Sequence, residues 1–234
     1  MKANNPVFFL DYDGTLAPIA PRPEEARPHP EAPEVVGRLQ ARYPVYVITG
    51  RRVKDLEPLL PLPGLSVVGG HGLEEGVLFG EAVPLFPVDL TPLREALPAC
   101  PGTWVEDKGY ALALHYREAE DEAAAEACLR AWLEGKKALL ERLGLEALPG
   151  KKVLEIKPKG VDKGKAVLRL LDRHPGRTPV YIGDDTTDEA AFLVLRDRGL
   201  TFKVGEGPTA AQGRLEDVEA VLDYLKTYLP PPSL

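Results

Sequence analysis

Apolar residues occur along the chain in three short unbroken runs, Val7 to Leu10, Val45 to Ile48 and Val180 to Ile182. A run that is apolar at every position has no face for water, which predicts central strands of a sheet covered by helices on both sides. Each run ends at polar or glycine-rich residues. Between the runs the apolar residues recur at helical spacing, over Pro33 to Arg42, Val53 to Leu60, Lys163 to Arg173, Glu189 to Arg196 and Leu215 to Tyr228. This β-α alternation predicts an α/β protein with a doubly wound, mostly parallel sheet. Ligands of such sheets bind beyond the carboxyl ends of the strands, so the polar clusters after the three runs are where chemistry is expected.

The middle of the chain has a different pattern. Alternation over Thr103 to Glu106 and Tyr110 to Tyr116, a long Ala/Glu/Leu-rich amphipathic stretch from Ala119 to Leu143 and a further strand at Val153 to Lys157 predict an inserted α+β cap. The expected division is core 1–82, cap 83–157, core 158–234. Pro84, Pro87, Pro149, Pro158 and Gly160 are the expected hinges. Pro18 to Pro33 is a proline-rich loop or linker, and Pro230 to Pro232 a proline-rich tail. In the cap strand, Leu112 and Leu114 share one face and Ala113 and His115 the other. Trp132 belongs to the cap's own core.

Composition narrows the partners. A chain of 234 residues, 44% of them hydrophobic, can bury a sizeable core, and a net charge of -7 argues against nucleic acid or an anionic membrane as partner. No signal-peptide or transmembrane stretch occurs, so a cytoplasmic monomer or small homo-oligomer is expected. Cys100 and Cys128 have no metal-ligand spacing and read as two packed thiols of a reducing compartment, with a disulfide as the alternative. The scarcity of Asn and Gln and the abundance of Pro resemble a thermophile's composition.

Candidate chemistry follows the runs. Asp11 and Asp13 bracket Tyr12 after the first, and strand geometry would point both carboxylates the same way, as a metal site with an acid/base group requires; an Asp-Gly turn is the plain alternative. After the third run, Asp184, Asp185, Asp188 and Glu189 open a helix, where capping accounts for some of them. A hard divalent cation shared with Asp11 accounts for the rest, and oxygen-only ligands favour Mg²⁺ over Zn²⁺. Lys163 and Lys165 stand in the first turn of a helix capped by Asp162, an unfavourable place for positive charge unless an anion compensates or the side chains reach solvent. Thr49, Gly50 and Arg51 offer a hydroxyl and backbone N–H groups to the same anion.

Together these segments resemble the haloacid dehalogenase superfamily of phosphotransferases, with Asp-Tyr-Asp-Gly-Thr, Thr49, Lys163 and Gly183-Asp184-Asp185-Thr186-Thr187-Asp188 in the superfamily's order. A finer resemblance is to trehalose-6-phosphate phosphatases, through Asp11 to Ile19, Gly70 to Glu74, Glu106 to Gly109, His115 to Arg117 and Gly183 to Glu189. Tyr12 stands where relatives usually carry Phe, and Lys157 where they often carry Arg. The resemblance implies a Rossmann-like core and a small sugar phosphate as substrate. It implies that Asp11 is the nucleophile, Asp13 the acid/base, and Thr49 and Lys163 the phosphate holders. It places Mg²⁺ on Asp11, the Asp13 carbonyl and Asp184, with Asp188 in support. Gly50, Arg51, His71, Glu74, Glu106, Lys108 and Glu155 would contact the substrate. The alternatives are a phosphatase for sucrose phosphate or a glucosyl- or mannosyl-phosphoglycerate, and a phospho-accepting signalling module, which has no use for Asp13 or a cap.

Overall fold

The computed structural model describes residues 1–150 and 152–231, so Pro232 of the proline-rich tail lies outside the described residues. In chain order its elements are β1 (Pro6–Leu10), α1 (Ala32–Gln40), β2 (Val45–Ile48), α2 (Val53–Leu56), β3 (Ser66–Gly69), β4 (Glu74–Val77), β5 (Ala82–Pro84), α3 (Thr91–Arg94), β6 (Trp104–Asp107), β7 (Leu112–His115), α4 (Glu122–Leu143), β8 (Leu145–Gly150), β9 (Val153–Pro158), α5 (Lys163–Leu171), β10 (Thr178–Gly183), α6 (Glu189–Leu195), β11 (Leu200–Val204), β12 (Gly213–Leu215) and α7 (Val218–Lys226). The chain forms two compact units, Met1–Leu85 with the stretch from Val161 onward, and Phe86–Gly160. No helix among the described residues is long and apolar enough to cross a membrane.

The first unit is an eight-stranded sheet in the order β12-β11-β10-β1-β2-β3-β4-β5, parallel except for β4 and β5. The unbroken apolar run of β1 has the expected cause. Phe8 and Leu10 face a layer that includes Val35, Val36 and Leu39 of α1 and Val221, Leu222 and Leu225 of α7. Val7 and Phe9 face Val167 and Leu170 of α5 and Phe192 and Leu195 of α6. Beyond the strand end, Asp11 meets Lys163 of α5, while Tyr12 packs into the layer of α1 and α7.

The second unit is an antiparallel sheet β6-β7-β9-β8, one face of which packs Leu112, Leu114, Leu154 and Ile156 against Leu129 and Leu140 of α4 and is bordered by Trp132. Asp121 caps α4 by accepting from the Ala124 N–H at 2.9 Å, and Gly144, in the left-handed region at φ 66°, ends it.

Several expectations are corrected. Val53 to Leu60 is helical only to Leu56, and Leu215 is in β12 rather than in the last helix. Pro149 and Pro158 lie in a strand ladder, opposite Leu154 and Leu145, rather than in connecting loops. The strand Ala82–Pro84 pairs with β4 in the core sheet. Cys100 and Cys128 are not packed thiols but a disulfide, their Cα atoms 5.9 Å apart and thus within bridging reach.

Candidate active site

Three neighbouring strands, β10, β1 and β2, run parallel in register, so Gly183, Leu10 and Ile48 end at one edge of the sheet and the residues after them share it. Asp11 is buried there, its N–H donating to the Ile182 carbonyl at 2.9 Å. The buried Lys163 ammonium, from the first turn of α5, donates to Asp11 Oδ1 at 3.0 Å and to Asp188 Oδ1 at 2.8 Å. The compensating anion for this lysine is therefore the protein's own carboxylates. Asp188 has no free orientation: Oδ1 also accepts from the Tyr181 hydroxyl at 2.6 Å, and Oδ2 from the Asp185 N–H at 3.0 Å. Two glycines make room for the acids. A Cβ on Gly183 would stand 2.3 Å from Asp188 Cγ, and one on Gly14, whose φ is +75°, 2.0 Å from Asp184 Oδ2.

Carboxylate oxygens of Asp11, Asp184 and Asp188 lie within 4.8 Å of one another. Burial raises the Asp11 carboxyl well above the ordinary range; Lys163 opposes this, and Asp188 and Asp184 add to it. Asp184 is likewise raised, chiefly by burial. Burial by itself would lower the Lys163 ammonium, but Asp11 and Asp188 outweigh it and hold the group charged. Asp184 Oδ1 is buried without a hydrogen-bond partner. An orphaned carboxylate oxygen beside a second crowded carboxylate is the environment that a hard cation relieves, so the residues fit a divalent metal.

Asp13 departs from expectation. The chain leaves strand geometry after Leu10 and turns, with the Tyr12 carbonyl accepting from the Thr15, Leu16 and Ala17 N–H groups, so the two carboxylates do not point alike. That of Asp13 lies outside the metal-competent group and accepts two parallel bonds from Arg51, at 2.8 and 2.7 Å. Thr49 is buried, its hydroxyl oxygen accepting from the Arg51 N–H at 3.1 Å. His71 takes the left-handed conformation at φ 58° between two glycines of positive φ, unusual for a side-chain-bearing residue, and its ring lies so close over Gly50 that a Cβ there would meet Nε2 at 2.5 Å.

Glu74, expected among the substrate contacts, is buried and caps the start of α2. The side chain of Arg52, at the start of α2, supplies no cap, and Glu74 Oε1 accepts the Val53 N–H at 2.5 Å instead. Of the second acidic cluster, Asp185 forms a capping box with Asp188, whereas Glu189 accepts the Ala210 N–H at 2.7 Å and so ties the start of α6 to the loop between β11 and β12. In the other unit, the register places Glu106, Ala113 and Glu155 in one row on the sheet face opposite the cap's core, with Lys108 bonded to Glu155 at 3.0 Å and Glu106 to His115 at 3.1 Å. Trp104 stacks on His115 with centroids 4.0 Å apart.

Sequence reasoning missed two residues. Tyr181 was hidden as one more apolar position in its run. Lys203, buried at the end of β11, donates to the Asp184 carbonyl and so ties the metal-competent loop to the next strand. A lysine between Phe202 and Val204 was the available signal.

The sequence model of the trehalose-phosphatase family matches residues 9–79 and 90–219. A trehalose-phosphate phosphatase of Mycobacterium bovis is 33% identical over 95% of this chain, which covers 61% of that relative, so the chain spans about three fifths of its length. A crystal structure of a trehalose-6-phosphate phosphatase related protein superposes with a TM-score of 0.74 at 30% identity, covering 95% of this chain and 96% of the other. A haloacid dehalogenase-like hydrolase from Bacteroides thetaiotaomicron superposes with a TM-score of 0.71 at 14% identity over 97% of this chain and 100% of its own, a likeness of fold alone. With the family match running through both units, the chain belongs to the trehalose-phosphatase family, on the fold of the haloacid dehalogenase superfamily.

Proposed function

We propose that the chain hydrolyses trehalose 6-phosphate to trehalose and phosphate through an aspartyl-phosphate on Asp11. The observation that carries this reading is the convergence of Asp11, Lys163, Asp184 and Asp188 at the carboxyl edge of the sheet. In the first half-reaction an Asp11 carboxylate oxygen attacks phosphorus, the bond from phosphorus to the sugar oxygen breaks, and Asp13 gives that oxygen a proton. In the second, Asp13 takes a proton from water as the water oxygen bonds to phosphorus, and the Asp11–phosphate bond breaks to release phosphate. Thr49 and Lys163 hold the non-reacting phosphoryl oxygens in place.

Asp11, the Asp13 carbonyl and Asp184 would hold Mg²⁺, with Asp188 orienting Lys163 beside them. When bound, the ion offsets the repulsion between the attacking carboxylate and the phosphoryl oxygens. The row of Glu106, Lys108 and Glu155 supplies the charged acceptors and donor that a hydroxyl-rich sugar requires, and Arg51 and His71 belong to the recognition set of the core.

The test is phosphate release from trehalose 6-phosphate with Mg²⁺ and with chelator, alongside sucrose phosphate and glucosyl-phosphoglycerate. A kcat/KM no higher for trehalose 6-phosphate than for the others refutes the substrate. Asp11→Asn abolishes turnover while leaving the fold intact; retained activity refutes the nucleophile.

A further inference from the structure

Asp13 is more exposed than Asp11, and a carboxylate with access to water samples several rotamers unless something holds it. Among the described residues its recorded side-chain bonds all come from Arg51. Arg51 is itself fixed: its side chain is 12% exposed, and its guanidinium carbon lies 5.5 Å from the centroid of the buried Tyr12 ring. Tyr12 is anchored in turn by its hydroxyl, which donates to the Ala26 carbonyl at 2.7 Å. A bidentate guanidinium–carboxylate pair sets both position and plane of the carboxylate, which a single ammonium does not. We infer that Arg51 is a positioning residue that aims the Asp13 carboxyl at the leaving oxygen, with Tyr12 as its support. The inference rests on the proposed role of Asp13 as leaving-group acid. It assigns Arg51 a task in addition to its place in the recognition set of the core.

Leaving-group chemistry separates the possibilities. An oxygen that departs readily as an anion needs no proton, whereas a poor leaving group does. kcat/KM is measured for aryl phosphates of graded leaving-group basicity, from p-nitrophenyl to phenyl phosphate, in the Mg²⁺-loaded full chain. The variants are Asp13→Asn, Arg51→Ala, Arg51→Lys and the double variant Asp13→Asn/Arg51→Ala.

Asp13→Asn should lose roughly 10²- to 10⁴-fold on the poorest leaving group, the range for general acid catalysis, and much less on the best. Arg51→Ala should steepen the dependence in the same sense by roughly tenfold across the series, with Arg51→Lys between it and the native chain. The double variant should be no worse than Asp13→Asn, because residues acting through one another are not additive. An equal loss for Arg51→Ala at every leaving group, or losses that multiply in the double variant, overturns the positioning role and leaves Arg51 a ligand-binding residue. No leaving-group dependence in Asp13→Asn overturns the acid role of Asp13 itself, and the inference with it. Arg51→Lys, which keeps a cation in place, carries the test should Arg51→Ala fail to fold.

Discussion

Lys163→Met keeps the aliphatic stem in its buried place and removes the ammonium that answers two carboxylates, at 3.0 Å on Asp11 and 2.8 Å on Asp188. The packing change is small because the stem survives; the electrostatic change decides the outcome. Removing one partner of a buried ion pair costs about 3–5 kcal/mol, since the remaining charge has neither water nor counter-charge. That is a large share of the roughly 5–15 kcal/mol by which a domain is stable.

The sign of the pH dependence follows from Asp11. Burial already raises its carboxyl above the ordinary 3.8, and Lys163 is the principal influence opposing that rise. Without Lys163 the folded-state pKa climbs further. A group that binds its proton more tightly when folded destabilises the fold as pH rises above its unfolded pKa, fully so above the folded one. The deficit of Lys163→Met against the native chain is therefore largest at neutral pH and shrinks as pH falls toward 4. Urea unfolding in chelator at pH 7.5 and pH 4.5 measures it. Adding Mg²⁺ at pH 7.5 should then return more stability to the variant than to the native chain, about 2.7 kcal/mol for a cation at a hundred times its Kd. A deficit under about 1 kcal/mol at pH 7.5 would contradict the buried-pair cost, and a deficit no smaller at pH 4.5 would contradict the linkage.

Gly183→Ala puts a methyl group 2.3 Å from Asp188 Cγ, so the carboxylate that holds Lys163 and Tyr181 must move; stability should fall by about 1–3 kcal/mol, and unchanged phosphate release would show that Asp188 needs no fixed place. The disulfide joins residues 28 apart, which by loop entropy stabilises its unit by about 3–4 kcal/mol. Both tryptophans, Trp104 and Trp132, lie in that unit, so a reductant should lower the tryptophan-detected urea midpoint, and an unmoved midpoint refutes the estimate. Burial tends to raise Glu75, but hydrogen bonds from Arg173 and Arg169 outweigh it and leave the carboxyl below its ordinary 4.5. Its contribution is therefore present above pH 4.5 and lost as pH falls through the depressed value. Because the arginines are partly exposed, Glu75→Gln should cost under about 1 kcal/mol at pH 7 and progressively less as pH falls through the depressed value; a deficit that grows in acid would reverse the sign.

The central strands were legible because β1, β2 and β10 are buried on both faces, and burial on both faces writes an unbroken apolar run. The edge of the sheet was not: Glu74 and Glu75 make β4 polar, and β5 is exposed throughout, so neither carries a periodic signal. The disulfide was illegible for a different reason, since its geometry depends on how the segment before β6 meets α4, which no local spacing encodes. Asp11, Lys163, Asp184 and Asp188 could be named because each stands at a strand end or helix start whose position the pattern fixes.

Asp13 shows where that inference stops. Extrapolating the strand by two residues sends its carboxylate beside that of Asp11, yet the chain turns at Tyr12, whose carbonyl gathers three N–H groups, and Gly14 supplies the positive φ that the turn requires. The turn separates two carboxylates that would otherwise share one desolvated crevice and repel. One is left with Lys163 and the metal-competent oxygens, the other with a guanidinium. The departure from strand geometry after Leu10 thus gives the two carboxylates of Asp-Tyr-Asp different surroundings, and strand periodicity cannot register it because it begins where the strand ends.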